Sequence, residues 1–303
     1  MRRLLKFSIV LFILAGVLFL VTKIYRTRSR DSAGPEITVE NESISVSIHD
    51  PESVLLAGVT AFDKKDGDVT QSIVIERISN FLEKDTRIVT YAAFDRDNHV
   101  TRASREITYT DYDPPEFAAA KPFSFRLGDT DVLAGVSASD CLDGSLSDRI
   151  RLLSDDAIDE KTPGEYQAYL QASNSAGDVI TLPVILEYGA PESTPKVLLK
   201  NYIQYLDPGE AFDPASLLAG VQIGSMTYEI VNGRGNYGSE DRQRGEAVYV
   251  GRNDIVIDGT VDSNVPGNYI VTYSYTVENE AAGPVTGKTR LYVVVREKAG
   301  TAS

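Results

Sequence analysis

LLAGVTAFDKKDGDVT, Leu55 to Thr70, decides the fold because the chain repeats it: VLAGVSASDCLDGSLS begins at Val132, and a worn third copy, LLAGVQIGS, begins at Leu217. Gly58 to Gly135 is 77 residues and Gly135 to Gly220 is 85, a period close to one small sandwich domain. Around each copy the chain alternates apolar and polar residues. In EITVENESISVSI, Glu36 to Ile48, first Ile37 and Val39 and then Ile44, Val46 and Ile48 keep the period of half-buried strand. TRIVTYAAFDRDNHVTRASREITYT, Thr86 to Thr110, reads as two strands joined by a tight polar turn at Asp95 to Asn98.

The motif has a physical reading of its own. A glycine between the apolar residues of LAGV lets the chain bend against a neighbour where a side chain would clash. Asp-Gly supplies a turn residue able to take positive φ, and flanking aspartates bond nearby backbone N–H groups. Alternating tyrosines place large rings on one face of the late strand, filling a core that has no tryptophan and no disulfide, since Cys141 is the sole cysteine. That thiol reads as a core or loop filler.

DYDPPEF, Asp111 to Phe117, and APESTP, Ala190 to Pro195, are proline-stiffened joints. They divide the chain into an N-terminal segment, 1–30, and domains at 36–111, 115–190 and 195–297. The expected fold is all-β: three tandem sandwiches after one N-terminal transmembrane helix. Phe7 to Val21 is uncharged; extended from Leu4 to Tyr25, with Lys6 and Lys23 reaching toward head groups, it is long enough to span a bilayer. The competing reading is a cleaved signal peptide. Lys23, Arg26, Arg28 and Arg30 follow the run with no small-x-small site beyond Val21, which favours an uncleaved anchor. Positive side chains balance on the two flanks, so charge does not orient it.

Residues 1 to 30 hold seven Lys or Arg and no acid, which leaves 23 basic against 44 acidic side chains, a net of −21, on the body. Such a body repels nucleic acid and anionic lipid. There is no zinc spacing, P-loop, GxSxG elbow or HExxH, and the only histidines, His49 and His99, read as surface turn residues. The chain is therefore expected not to be an enzyme.

The repeats resemble the bacterial Ig-like domains found in tandem in surface proteins and in the pesticidal crystal protein family, whose pattern runs LAGV-x-A-x-D, DGD-[LV]-T, then G-x-Y-x-V-x-Y-x-A-x-D. The first copy carries Leu56 to Val59, Ala61, Asp63, Asp66 to Thr70, Val89, Tyr91, Ala93 and Asp95; the second carries Leu133 to Val136, Ala138, Asp140, Asp143, Gly144, Gly164, Tyr166, Ala172 and Gly177. The third keeps Leu218 to Val221, Gly267, Tyr269, Val271 and Tyr273 but loses the acidic loop. The resemblance implies an exported body, hence a single-pass cell-membrane protein with its N-terminus inside and its domains outside the cytoplasm. It implies spacer, adhesin and accessory roles alike.

Two candidate sites follow. Asp63, Asp66 and Asp68, and in the second copy Asp140 and Asp143, offer oxygen ligands to calcium, though hard cations want six to eight oxygens and turn chemistry accounts for the same residues. No other cofactor is expected. In the divergent middle of the third domain, Tyr228, Tyr237 and Tyr249 lie near Arg234, Arg242 and Arg244, where they either stack on a sugar or a protein partner or pack an enlarged loop. The expected function is a non-enzymatic, membrane-anchored envelope protein that presents Ig-like domains to another protein or to cell-wall glycan in adhesion or as a scaffold. The alternative is a carbohydrate-binding protein using those tyrosines.

Overall fold

The computed structural model describes residues 2–29, 33–82, 85–191, 193–237, 247–279 and 283–297. One helix, Arg2–Ser29, opens the chain. Within it Phe7–Ile24 has a mean hydropathy of 2.5 and none of its side chains is buried. After it the described residues are mainly β-strand with a few short helical turns, and the chain divides into two compact units, residues 1–112 and 113–303.

The first unit holds one sandwich. Glu36–Val39, Val59–Asp63 and Gly67–Asp68 form one sheet, with Val59–Asp63 in the middle; Ser43–Val46, Val100–Tyr109, Thr86–Phe94 and Val74–Ile78 form the other in that order. The stretch Glu36 to Ile48 is thus two strands in two sheets, where the sequence pattern reads as one. Its apolar residues fall on odd positions up to Val39 and on even positions from Ile44, and this change of phase is the crossing from one inner face to the other. Ser43–Val46 runs parallel to Val100–Tyr109 while the other pairings of both sheets are antiparallel. Val46, Leu55, Val59, Ala61, Val89, Tyr91 and Ile107 fill the space between the sheets.

The LAGV segment is anchored at its two ends by the buried Leu55 and Val59. Leu55 ends a single helical turn, Glu52–Leu55, and Gly58 then takes φ +72° beside Glu40, whose carboxylate lies 2.9 Å from where a Cβ would project. Tyr91 Oη donates to the Leu55 carbonyl at 2.6 Å, and the Arg105 guanidinium, 2% exposed, donates to the carbonyls of Leu55 and Ala57 while lying 5.6 Å from the Tyr91 ring. A buried cation held by helix-end carbonyls is favourably placed at the negative end of that turn.

The second unit holds two sandwiches built on the same plan. In one, Gly144–Ser145, Val136–Asp140 and Glu116–Ala119 face Arg151–Leu153, Gly164–Ser173, Val179–Tyr188 and Ser124–Phe125; in the other, Lys196–Leu199, Leu218–Ile223 and Met226–Tyr228 face Ile203–Leu206, Gly283–Val295, Gly267–Asn279 and Val256–Asp258. Each repeats the parallel edge pairing, Ser124–Phe125 on Val179–Tyr188 and Ile203–Leu206 on Gly283–Val295. The third LAGV copy departs from the others. It lies inside a strand, and Gly220 avoids positive φ; its Cβ position is instead 3.1 Å from the Tyr228 carbonyl, so close strand approach replaces the turn as the reason for glycine. The late-strand tyrosine keeps its role, with Tyr273 Oη donating to the Pro214 carbonyl at 2.7 Å.

The two sandwiches of this unit share one continuous apolar core. Tyr292 of the third reaches the second, where its Oη accepts the Ile185 N–H at 2.8 Å and donates to the Ile185 carbonyl, and its ring meets Phe123 edge-on with centroids 5.5 Å apart. In the other direction the Phe117 N–H donates to Tyr205 Oη at 2.9 Å and the Tyr202 N–H to the Ala119 carbonyl at 3.2 Å. Charges close the seam: Arg290 pairs with Glu165 at 2.5 Å, and Arg296 bridges Glu116 and Asp207. Burial pushes the Glu187 carboxyl up, with Arg290 pulling the other way. At the joint itself the Pro195 carbonyl would lie 1.6 Å from a Cβ on Gly287, so only glycine admits this approach.

Candidate functional site

The acidic loop of the first sandwich disperses its aspartates. Asp63, 1% exposed, accepts the Lys65 and Asp66 N–H groups on Oδ1 at 2.8 and 2.7 Å, whereas its Oδ2 is buried with no partner. Asp66 turns to the neighbouring turn and accepts the Arg96 N–H at 2.9 Å. Asp68 accepts the Thr70 N–H at 2.9 Å; bonds from the Thr70 side chain and backbone hold its carboxyl below the ordinary range. In the second sandwich Asp140 bonds the Asp143 N–H and the Asn174 side-chain amide, and Asp143 is held by Ser175 and Arg149. Among the described residues no three of His, Cys, Asp and Glu gather to hold a metal ion. The trio Asp63, Asp66 and Asp68 is therefore not brought to one point.

The turn after Thr86–Phe94 holds a pair that the sequence pattern did not signal. Asp95, 9% exposed, accepts the His99 N–H on Oδ1 at 2.8 Å, and its Oδ2 lies 2.6 Å from His99 Nδ1. Burial pushes the Asp95 carboxyl up, but the His99 N–H and ring and the Asp97 N–H together carry it below its ordinary value. His49 is an exposed loop residue, as the sequence suggested.

In the third sandwich the tyrosines divide by role. The Tyr228 and Tyr237 rings meet edge-on at 5.0 Å, Tyr237 stands 6.4 Å from Tyr275, and both Tyr228 and Tyr237 pack against the core. Burial first, then Asp254 and Tyr237, pushes the Tyr275 hydroxyl up to about 12. Tyr249, 36% exposed, and Arg234 face solvent. Arg242 and Arg244 lie outside the described residues. The neck of this loop is tied by Asp254, whose Oδ2 accepts the N–H groups of Gly235 and Gly251 at 3.0 and 3.2 Å. The two glycines touch backbone to backbone, with a Cβ on either falling within 2.3 Å of the other.

A cleft of about 470 Å³ opens where the second and third sandwiches meet. Phe123, Phe125 and Tyr202 give it aromatic walls, and Lys121, Lys196 and Asp131 bring charge to it. Volumes of this order suit small ligands or the side chains of a partner. Neither sandwich contains the cleft alone, so the pattern of a single repeat gives no signal for it.

No family model matches the chain, and no curated protein matches it. Solved structures similar to it include the CBM51-2 and INT domains of Clostridium perfringens ZmpB, at 19% identity over 46% of this chain and 28% of that one, TM-score 0.21. Protocadherin gamma B2 extracellular cadherin domains 1–5 match at 12% identity over 88% of this chain and 61% of that one, TM-score 0.19. A lipoprotein from Bacteroides thetaiotaomicron matches at 10% identity over 85% of this chain and 99% of that one, TM-score 0.19. The chain spans less than two thirds of the first two. With TM-scores near 0.2, these likenesses carry no functional argument, and the β-sandwich assignment rests on the strand pairings above.

Proposed function

We propose that this chain is a non-enzymatic, membrane-anchored bacterial envelope protein of the Ig-like repeat type, whose sandwiches stand outside the cytoplasm and present a surface to another protein or to wall glycan. The observation that carries the reading is the helix Arg2–Ser29, whose Phe7–Ile24 segment is wholly unburied by the rest of the chain. An 18-residue segment this apolar is strongly unfavourable in water, and a lipid bilayer is the cover that suits its length. The role as a presenting body is supported by the shared core of the second and third sandwiches, which holds the cleft and the Tyr249–Arg234 face on one body. Of the residues favouring carbohydrate stacking, Tyr249 keeps an accessible ring, so that alternative now turns on Tyr249 and Arg234.

The test is capture from solubilised envelope by the tagged full-length chain, run beside Lys121→Glu and Tyr249→Ala. Truncation before the third sandwich is a poor control, because it would cut through the shared core. Loss of a captured protein or glycan in either variant supports a presenting role and locates it. Capture of nothing by the parent chain, from protein extract and wall polymer alike, contradicts it.

A further inference from the structure

The first two sandwiches carry the same loop with one consequential difference. Asp63 and Asp140 are equivalent: each lends Oδ1 to the N–H three residues on, Asp66 at 2.7 Å and Asp143 at 2.8 Å. Asp95 and Asn174 are equivalent too, since each N–H bonds the carbonyl four residues on, His99 or Asp178, and the residue before that carbonyl, Asn98 or Gly177, takes positive φ. Asp66 and Asp143 complete the match by accepting the N–H groups of Arg96 and Ser175. In the second sandwich the Asn174 side-chain amide donates to Asp140 Oδ2 at 2.8 Å. In the first, a carboxylate stands where that amide would be, and Asp63 Oδ2 is left buried without a donor. The other charges nearby are engaged elsewhere: Lys65 pairs with Asp97, and His99 with Asp95.

Burying a carboxylate oxygen with neither donor nor cation is strongly unfavourable. We infer that the first sandwich, unlike the second, binds Ca²⁺ between the Asp63 and Asp95 carboxylates. An all-oxygen pair of carboxylates suits a hard cation, and Ca²⁺ tolerates an irregular shell completed by water and backbone oxygen. His99 stands as the partner that orients a ligating carboxylate from behind. With two protein carboxylates the affinity falls in the weak range of extracellular modules, roughly 10⁻⁴ to 10⁻³ M. This pairing differs from the trio suggested by DKKDGD, in which Asp66 and Asp68 are occupied by backbone N–H groups.

The experiment uses the full-length chain in detergent, with equilibrium dialysis against calcium chloride and thermal unfolding in calcium or EDTA, for the parent, Asp95→Asn and Asp63→Asn. Asp95→Asn restores the amide that the second sandwich already accommodates, so it folds. The parent binds one ion per chain more than Asp95→Asn, and at about ten times the dissociation constant its first-sandwich transition rises by about 6–11 °C, a shift both variants lack. In EDTA, Asp95→Asn melts above the parent. Absence of calcium binding at ~5 mM, well above the expected range, or equal binding by parent and Asp95→Asn, overturns the site.

Discussion

Replacing Tyr292 by phenylalanine probes whether the second and third sandwiches are one thermodynamic body. The hydroxyl makes two bonds to Ile185 of the other sandwich, accepting its N–H at 2.8 Å and donating to its carbonyl at 3.3 Å, while the ring packs on Phe123. Tyr292→Phe keeps the ring and removes the hydroxyl, so the half-buried Ile185 N–H loses its protein partner; Tyr292 itself is 2% exposed. An unmet donor of this kind costs about 1–3 kcal/mol. At roughly 2–4 °C per kcal/mol for a body of this size, the melting temperature of the second unit falls by several degrees. Native-state hydrogen exchange is the sharper assay. In the parent chain, amides of Gly164–Ser173 and Gly283–Val295 open with one shared free energy, and Tyr292→Phe lowers both by the same amount. Separate opening energies, or a fall confined to the third sandwich, would refute the shared core as an energetic unit.

Three further outcomes are expected. Gly287→Ala destabilises the second unit by about 3 kcal/mol or more, read from urea unfolding, because its Cβ would meet the Pro195 carbonyl and two backbones must part. Arg105→Met destabilises the first sandwich by about 1–3 kcal/mol, measured the same way and separable from the second unit, because the Ala57 carbonyl loses its donor. Asp143 bears on acid stability: burial pushes its carboxyl up, but Ser175 and Arg149 outweigh burial and hold it below its ordinary value of 3.8. A depressed folded-state pKa stabilises above the unfolded value and loses that contribution as pH falls through the folded one. Urea midpoints taken downward from roughly pH 5 should therefore fall less steeply for Asp143→Asn than for the parent.

The sandwich plan was legible because period-two alternation and the recurring LAGV segment report local burial, and local burial is what a strand's own residues encode. The change of phase between Val39 and Ile44 was visible too, yet its meaning, one chain crossing between sheets, needed the partner strands. Gly58 and Gly135 share one explanation, positive φ, whereas Gly220 looks identical in sequence and answers to close strand packing. The shared core was hidden because Tyr292, Phe123 and Tyr205 alternate as any core residue of their own strands would; nothing in that pattern says which sandwich a ring reaches. For the acidic loop, the aspartates of DKKDGD drew attention by proximity in sequence, while Asp95 lies in a separate turn and is tied to Asp63 only by its equivalence to Asn174. Setting Asp95 against Asn174 would have exposed the missing amide. Of the third-domain tyrosines that the sequence offered for stacking or for packing, ring packing absorbs Tyr228 and Tyr237 and leaves Tyr249 outward.

The central claim, a body held outside the cytoplasm by the N-terminal helix, is tested most directly by surface labelling. A Cys141→Ser, Lys161→Cys chain carries one thiol at an exposed position of the second sandwich. Treated with a membrane-impermeant maleimide on spheroplasts, this thiol should react without permeabilisation, and the labelled full-length chain should stay with the membrane through an alkaline carbonate wash. Labelling only after the membrane is opened, or recovery of the chain in the soluble fraction, would contradict the account.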